Sequence, residues 1–293
     1  MVREINRIEC ENGIKLLMAL HDDVVIEVAF FYYCGSGMNG THICMPSQVG
    51  CPVGCHFCAT THAVLPYIRN MTGEELIEIV SYVLNICSIK GVHIDILSFS
   101  GHGEPLLNLT SVSRCVQHFS DIIDRFYITT VGIRNNFEDA LRLSNNVHYF
   151  ISLHGSSDAE RHQIIPDHPS IATMNDLRQF SLSLLMRGSQ VTFNYMLTPD
   201  NTSLQSAQRL ADFLSSFSSA SVRFTPVFPT SISSSHVDVD GNKFVAQFKE
   251  LVDPKRIKFR YSVPMGSEIG IACGQMRATH LKQTESGGHI KIF

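Results

Sequence analysis

From residue 72 onward the apolar positions alternate between two periods. Leu76, Ile79, Val80 and Val83 recur at helical spacing behind Thr72 and Glu75, a pair that forms a capping box, so residues 71–91 are predicted to be a helix. HIDILSFS then reads as a strand, residues 110–120 as a helix, RFYITT as a strand and FEDALRLS as a helix. The rhythm continues with the strand VHYFISLH and a helix over 174–187 that Gly188 stops. After these come the strand QVTFNYML, the helix SLQSAQRLADFL, the strand SVRFTPV, a helix over 243–251 and the strand RIKFRYS. Strands that alternate with helices predict a parallel sheet of an α/β protein. About six such units suit a partial or full β/α barrel; a doubly wound open sheet is the competitor. The first 50 residues lack this alternation. VVIEVAFFYYC reads as a strand, and residues 1–43 are expected to be an N-terminal β extension of a barrel domain over 44–293. TSISSSHVDVDGNK, residues 230–243, is Ser-rich and expected to be a loop.

Composition narrows the class. Hydrophobic residues make up 44% of the 293 positions, enough for a sizeable core. The 23 basic residues are outnumbered by 27 acidic ones, so no global basic field draws in nucleic acid, although a local patch remains open. No apolar run reaches the length of a membrane span, and MVREINRIECENG lacks the apolar segment of a secretory signal. Nine cysteines is an odd number, and three of them crowd into CPVGCHFC, residues 51–58. That distribution predicts a reduced, cytoplasmic chain with a metal or redox site instead of a disulfide framework.

The candidate chemistry lies where barrels collect it, in loops that leave the carboxyl ends of strands. GHGEP (101–105) follows the first predicted strand, VGI the second, and Ser152 with His154 end the third, while the fourth runs into TPDNTS. Cys51, Cys55 and Cys58 stand at C-x3-C-x2-C. His56 or His62 could complete a tetrahedral zinc site with them. On an iron–sulfur cluster, three thiolates leave one iron open to a substrate or cofactor. On residue type alone Cys44 and Cys273 read as small buried hydrophobes. Glu104 reads as a turn acid, Glu27 as a strand acid, and His154 and Asn201 as ordinary strand-end residues.

C-x3-C-x2-C with an aromatic before the last cysteine resembles the signature of the radical S-adenosylmethionine (SAM) enzymes. In order along the chain, THICMPSQVGCPVGCHFCAT, RNMTGEELIEIV, FSGHGEPLLN, ISLH, YMLTPDN and ACGQM resemble the RlmN/Cfr family of RNA methyltransferases, over residues 24 to 280. The resemblance implies a partial or full β/α barrel with a [4Fe-4S] cluster on Cys51, Cys55 and Cys58, and SAM on the open iron. It implies SAM contacts from Gly103, Glu104, Thr129, Ser152, Leu153, His154 and Asn201, with Glu104 beside the SAM amino group. It implies methyl transfer to an sp2 carbon, by family default carbon 2 of adenine in ribosomal or transfer RNA. Cys273 would carry the methyl group, Cys44 would resolve a protein–substrate crosslink, and Glu27 would accept the proton. A disulfide belongs to that cysteine chemistry.

The expected partners are RNA and an electron donor such as flavodoxin or ferredoxin, and the expected state is a monomer. The chain departs from the family in three places. It begins almost at the barrel and is expected to lack the accessory N-terminal domain. His102 replaces a methionine in the GHGEP run, and TTVG replaces S-T-S-G. These departures leave other readings open: a small heteroaromatic substrate, direct use of the deoxyadenosyl radical with Cys273 idle, or a cluster- or zinc-binding regulatory protein.

Overall fold

The computed structural model describes residues 2–10, 13–31, 41–62, 67–143, 146–226 and 241–262. Cys273, the tail around it and the Ser-rich segment up to residue 240 lie outside these. The strands are β1 (Arg3–Cys10), β2 (Gly13–Ala19), β3 (Val25–Phe31), β4 (His42–Met45), β5 (Gln48–Val49), β6 (Arg69–Asn70), β7 (Ile96–Phe99), β8 (Arg125–Thr130), β9 (Val147–Ser152), β10 (Gln190–Leu197), β11 (Ala220–Pro226) and β12 (Ile257–Tyr261). The helices are α1 (Ala59–His62), α2 (Gly73–Ile89), α3 (Leu109–His118), α4 (Phe137–Ala140), α5 (Asp158–His162), α6 (Met174–Met186), α7 (Leu204–Ser215) and α8 (Gly241–Leu251).

Ten strands form one sheet in the order β1-β2-β3-β4-β7-β8-β9-β10-β11-β12, while β5 and β6 pair separately. The first four run antiparallel to one another. From β4 to β12 every pairing within this sheet is parallel, each crossover carrying helix. Among the described residues β1 and β12 sit at opposite ends of the order, so the sheet is an open, partial barrel and not a closed one.

Local signals explain most elements. Thr72 Oγ1 accepts from the Glu75 amide at 3.1 Å and the Glu75 carboxylate accepts from the Thr72 amide at 2.9 Å, which closes the predicted capping box of α2. Gly188, at φ +83, ends α6 as expected. FEDALRLS yields only four helical residues, because the amides of Arg142 and Leu143 turn back to Asp139 and Ala140 in tight three-residue steps. The strands β1 and β2 lacked a readable signal. β1 carries Arg3, Glu4, Arg7 and Glu9, charges typical of a protected sheet edge. β2 is buried along its whole length and so shows no alternation.

Strand alternation gives the sheet two unlike faces. Ile43, Leu97, Phe126, Tyr149, Phe193 and Val222 join the main hydrophobic core under the helices. Their neighbours in sequence, among them Cys44, Ser98, Tyr127, His148, Asn194 and Arg223, face the other way. That second face is concave. Arg260 on β12 acts electrostatically on Tyr127 of β8 and His148 of β9. In a flat sheet β8 and β12 would stand about 19 Å apart.

Candidate active site at the open rim

The cysteine loop follows β5 and bends at Gly54, φ +73. Cys51, Cys55 and Cys58 are all half-buried. The amide of Cys58 donates to the Cys55 carbonyl at 3.1 Å, and Thr61 N donates to the Cys58 carbonyl at 3.0 Å. His56 fastens the loop to the segment after α5: its amide reaches Ile164 O at 2.9 Å and its Nδ1 lies 2.8 Å from Gln163 O. Burial pushes the Cys51 thiol up to about 12. It pushes Cys55 higher still, with Cys58, Cys51 and Glu104 adding and Arg161 opposing. Thiolates are held in such surroundings by a cationic centre that compensates their charge.

Among the described residues, the trio of His, Cys, Asp and Glu ligand atoms drawn within 4.8 Å of one another is His93, Asp95 and Asp124. Three half-buried thiols on one short loop, where burial disfavours bare thiolates, offer a soft ligand set that suits an iron–sulfur centre. Cys44, Cys51, Cys55, Cys58, Cys87 and Cys115 are free thiols.

GHGEP connects β7 to α3 and packs tightly. A Cβ on Gly101 would lie 2.9 Å from the Met45 carbonyl carbon, and one on Gly103, at φ +94, would lie 2.6 Å from Gln48 Cβ. Glu104 is buried. Its Oε1 accepts from Thr130 Oγ1 at 2.6 Å and from the Leu106 amide at 3.0 Å, and its Oε2 accepts from the Val131 amide at 2.8 Å. Burial raises this carboxyl to about 7 against those three donors. The carboxylate thus ties the GHGEP turn to the end of β8. Thr129 stands one residue before this clamp, half-buried on the concave face.

Cys44 is buried on β4, between Ala29 of β3 and Ser98 of β7 in register. Its Sγ lies 3.2 Å from Ser100 Oγ, which contacts Ser98 Oγ at 2.6 Å. Glu27 is two residues from Ala29 on β3 and so shares the face of Cys44. It is buried against Lys15 of β2, with Nζ to Oε1 at 3.0 Å.

At the end of β9 the chain turns sharply. His154 holds a left-handed φ of +53, and its Nδ1 accepts from the Met196 amide at 3.1 Å. Burial, then Arg161 and Arg223, lowers His154 to about 3, so it is a neutral imidazole. Its ring meets Phe57 of the cysteine loop edge-on at 5.2 Å. Asn201 is buried, donating to His154 O at 3.0 Å and Met196 O at 2.7 Å. The buried guanidinium of Arg161 donates to the carbonyls of Ser152, Leu153 and Val131, the last two at 2.8 and 3.0 Å. The ends of β8 and β9 are thereby held beside the cysteines.

The structure thus gathers Cys51, Cys55, Cys58, Gly103, Glu104, Thr129, Ser152, Leu153, His154 and Asn201 at one rim, with Cys44 and Glu27 on the adjoining concave wall. Cys273 lies outside the described residues. Sequence reasoning missed Arg161, Thr130 and Gln48. The Gln48 Oε1 accepts from the Glu104 amide at 2.8 Å. Thr130 alone had a local hint, since it adjoins Thr129; the partners of Arg161 are carbonyls distant in sequence.

No family model matches the chain. It is 27% identical over 289 residues to the "Ribosomal RNA large subunit methyltransferase N" of Nitrosopumilus maritimus, covering 94% of this chain and 80% of that protein. It is 29% identical over 270 residues to the "Probable dual-specificity RNA methyltransferase RlmN" of Thermotoga neapolitana, covering 90% and 75%. Among solved structures, a radical SAM methyltransferase from Sphaerobacter thermophilus superposes with a TM-score of 0.80 at 25% identity, covering 94% of this chain and 81% of that one. Along more than nine-tenths of its length, then, this chain resembles the RlmN methyltransferases, and its fold is that of a radical SAM methyltransferase.

Proposed function

We propose that this chain is a radical SAM methyltransferase that places a methyl group on an sp2 carbon of adenine in RNA, with Cys273 as methyl carrier. Cys51, Cys55 and Cys58 hold a [4Fe-4S] cluster. Gly103, Thr129, Ser152, Leu153, His154 and Asn201 line the SAM site, and the buried carboxylate of Glu104 keeps the GHGEP turn in shape beneath it. When bound, the cluster and SAM supply the one-electron chemistry that generates a 5'-deoxyadenosyl radical.

The residues of the chain do the rest. Cys273 takes a methyl group as a thioether and gives up one hydrogen atom of it to the deoxyadenosyl radical. The resulting carbon radical adds to the adenine carbon, joining protein to substrate and returning the surplus electron to the cluster. Glu27, paired with Lys15 at 3.0 Å, accepts the proton from that carbon. The Cys44 thiolate attacks the sulfur of Cys273 and forms a disulfide with it; the sulfur–carbon bond breaks with its electron pair going to the base, which takes up a proton and leaves methylated, and a thiol reductant restores the two cysteines.

One observation carries this reading: a second buried thiol, Cys44, lies outside the ligand loop and on the same concave wall as the buried carboxylate Glu27. A radical enzyme that acts directly on its substrate has no use for that pair. The RlmN names of the relatives support RNA as the substrate. The reading brings with it a monomer in the cytoplasm and a donor such as flavodoxin or ferredoxin. Among the described residues no helix is long and apolar enough to cross a membrane.

The experiment is Cys44→Ala in the reconstituted enzyme with SAM, reductant and an adenine-containing RNA. A covalent protein–RNA band that resists denaturant is expected. Normal release of methylated RNA by this variant would overturn the assignment.

A further inference from the structure

The concave face gathers positive charge from three parallel strands. Arg125 opens β8, Arg223 lies on β11, and Lys258 and Arg260 lie on β12. Register sets Ser152, Asn194, Arg223 and Arg260 side by side in one row across four strands. The row therefore runs from the rim into the curved wall. Arg223 is held in a fixed plane: its Nε donates to Asn194 Oδ1 at 3.0 Å and its guanidinium lies 5.1 Å over the Phe150 ring. Phe150 is itself stacked on His148 at 4.4 Å and leans on Tyr127 at 5.1 Å. That aromatic floor orients the guanidinium fork before any ligand arrives.

The charges converge as well as share a face. After burial, the groups that act on His148 are Arg260, Arg223 and Arg125, all of one sign. Arg223 is also felt at His42 and His154. Glu27, the buried carboxylate of this face, is occupied by Lys15. Like charges focused on a concave wall raise the local concentration of anions, and paired guanidinium forks match phosphate oxygens in geometry.

We propose that Arg223 and Arg260 form a phosphate seat inside the curved sheet, in the same row as Ser152, which takes the phosphate of the nucleotide being modified. The proposal rests on the reading above for the identity of the base, and adds that a single nucleotide's phosphate is recognised within the wall.

The test uses the holoenzyme. Binding of adenosine, adenosine 5'-monophosphate (AMP), a short adenine-containing RNA without a terminal phosphate, and SAM is measured by calorimetric titration. Wild type is expected to bind AMP at least about tenfold more tightly than adenosine. In Arg260→Gln, and in Arg223→Lys, which keeps charge but loses the fork, that gap is expected to shrink to about twofold. SAM binding should be unchanged in Arg260→Gln, which also shows that the variant is folded. If the variants weaken the RNA and AMP never exceeds adenosine, the seat takes an internal phosphodiester of RNA. Equal binding of all ligands by variants and wild type overturns the seat, as does an effect confined to SAM, which would make these arginines partners of its carboxylate. Methyl transfer to Cys273 is scored separately by mass spectrometry. A methylated Cys273 in protein whose AMP and RNA binding are both unaffected by the variants removes the seat and leaves the enzyme reading, and the reverse result does the opposite.

Discussion

The two faces of the ten-stranded sheet are built from the same strands and have opposite characters. On β10, Phe193 and Tyr195 point into the helix-covered core, while Thr192 and Asn194 point to the concave side. On β8, Phe126 and Ile128 alternate with Tyr127 and Thr129 in the same way. Stability is drawn from one set of alternate residues and chemistry from the other. Polar and titratable groups can therefore collect on the concave face while the core behind it stays continuous. The rim joins the two, and there the buried polar groups of Glu104, Asn201 and Arg161 each find hydrogen-bond partners.

The sharpest break of this division is expected at the cysteine loop. Cys55→Ala should abolish iron–sulfur absorbance and turnover while the protein still unfolds cooperatively, since the half-buried thiol adds little to the core. On the opposite face, Phe193→Ala should cost about 3–5 kcal/mol in urea unfolding, because it opens a cavity under α7; the activity per folded molecule should persist. Arg161→Met tests the rim that joins the faces. It strips the donors from the carbonyls of Ser152, Leu153 and Val131 and should cost about 2–4 kcal/mol, with weaker SAM binding by equilibrium dialysis.

A smaller effect is expected from the neutral histidines of the concave side. Burial, then nearby arginines, lowers His148 to about 4 from its ordinary 6.5. Its burial as a neutral ring thus contributes stability above pH 6.5 that is lost as pH falls toward 4. His148→Gln should make the urea midpoint fall less steeply between pH 6.5 and 4; an unchanged slope would contradict the neutral assignment. Smallest of all, Thr129→Ser, which keeps the hydroxyl on the concave side, should shift stability by less than about 0.5 kcal/mol.

Much of this was legible because the signals are local. The capping box of Thr72 and Glu75, the glycine stop at 188 and the strands on either side of each helix depend on residues a few positions apart. The cysteine spacing and the order of the strand-exit loops were equally visible. The parts that escaped depend on distant partners. Nothing in SDAERHQII announces that Arg161 will collect carbonyls from two strand ends. Nor does GHGEP announce that the oxygens of Glu104 accept from Thr130, Leu106 and Val131. The charged strand β1 and the fully buried β2 each lack the alternation by which strands are recognised. The concavity that lets Arg260 reach Tyr127 is a property of the whole sheet, so no single segment encodes it.

The central claim is that Cys273 carries the methyl group. Its most direct test is mass spectrometry of the Cys273 peptide after anaerobic incubation of the cluster-loaded enzyme with methyl-labelled SAM. The account predicts one labelled methyl on Cys273, retained in Cys44→Ala and absent in Cys273→Ala. An unmodified Cys273 in enzyme that holds a full cluster and still cleaves SAM would contradict it.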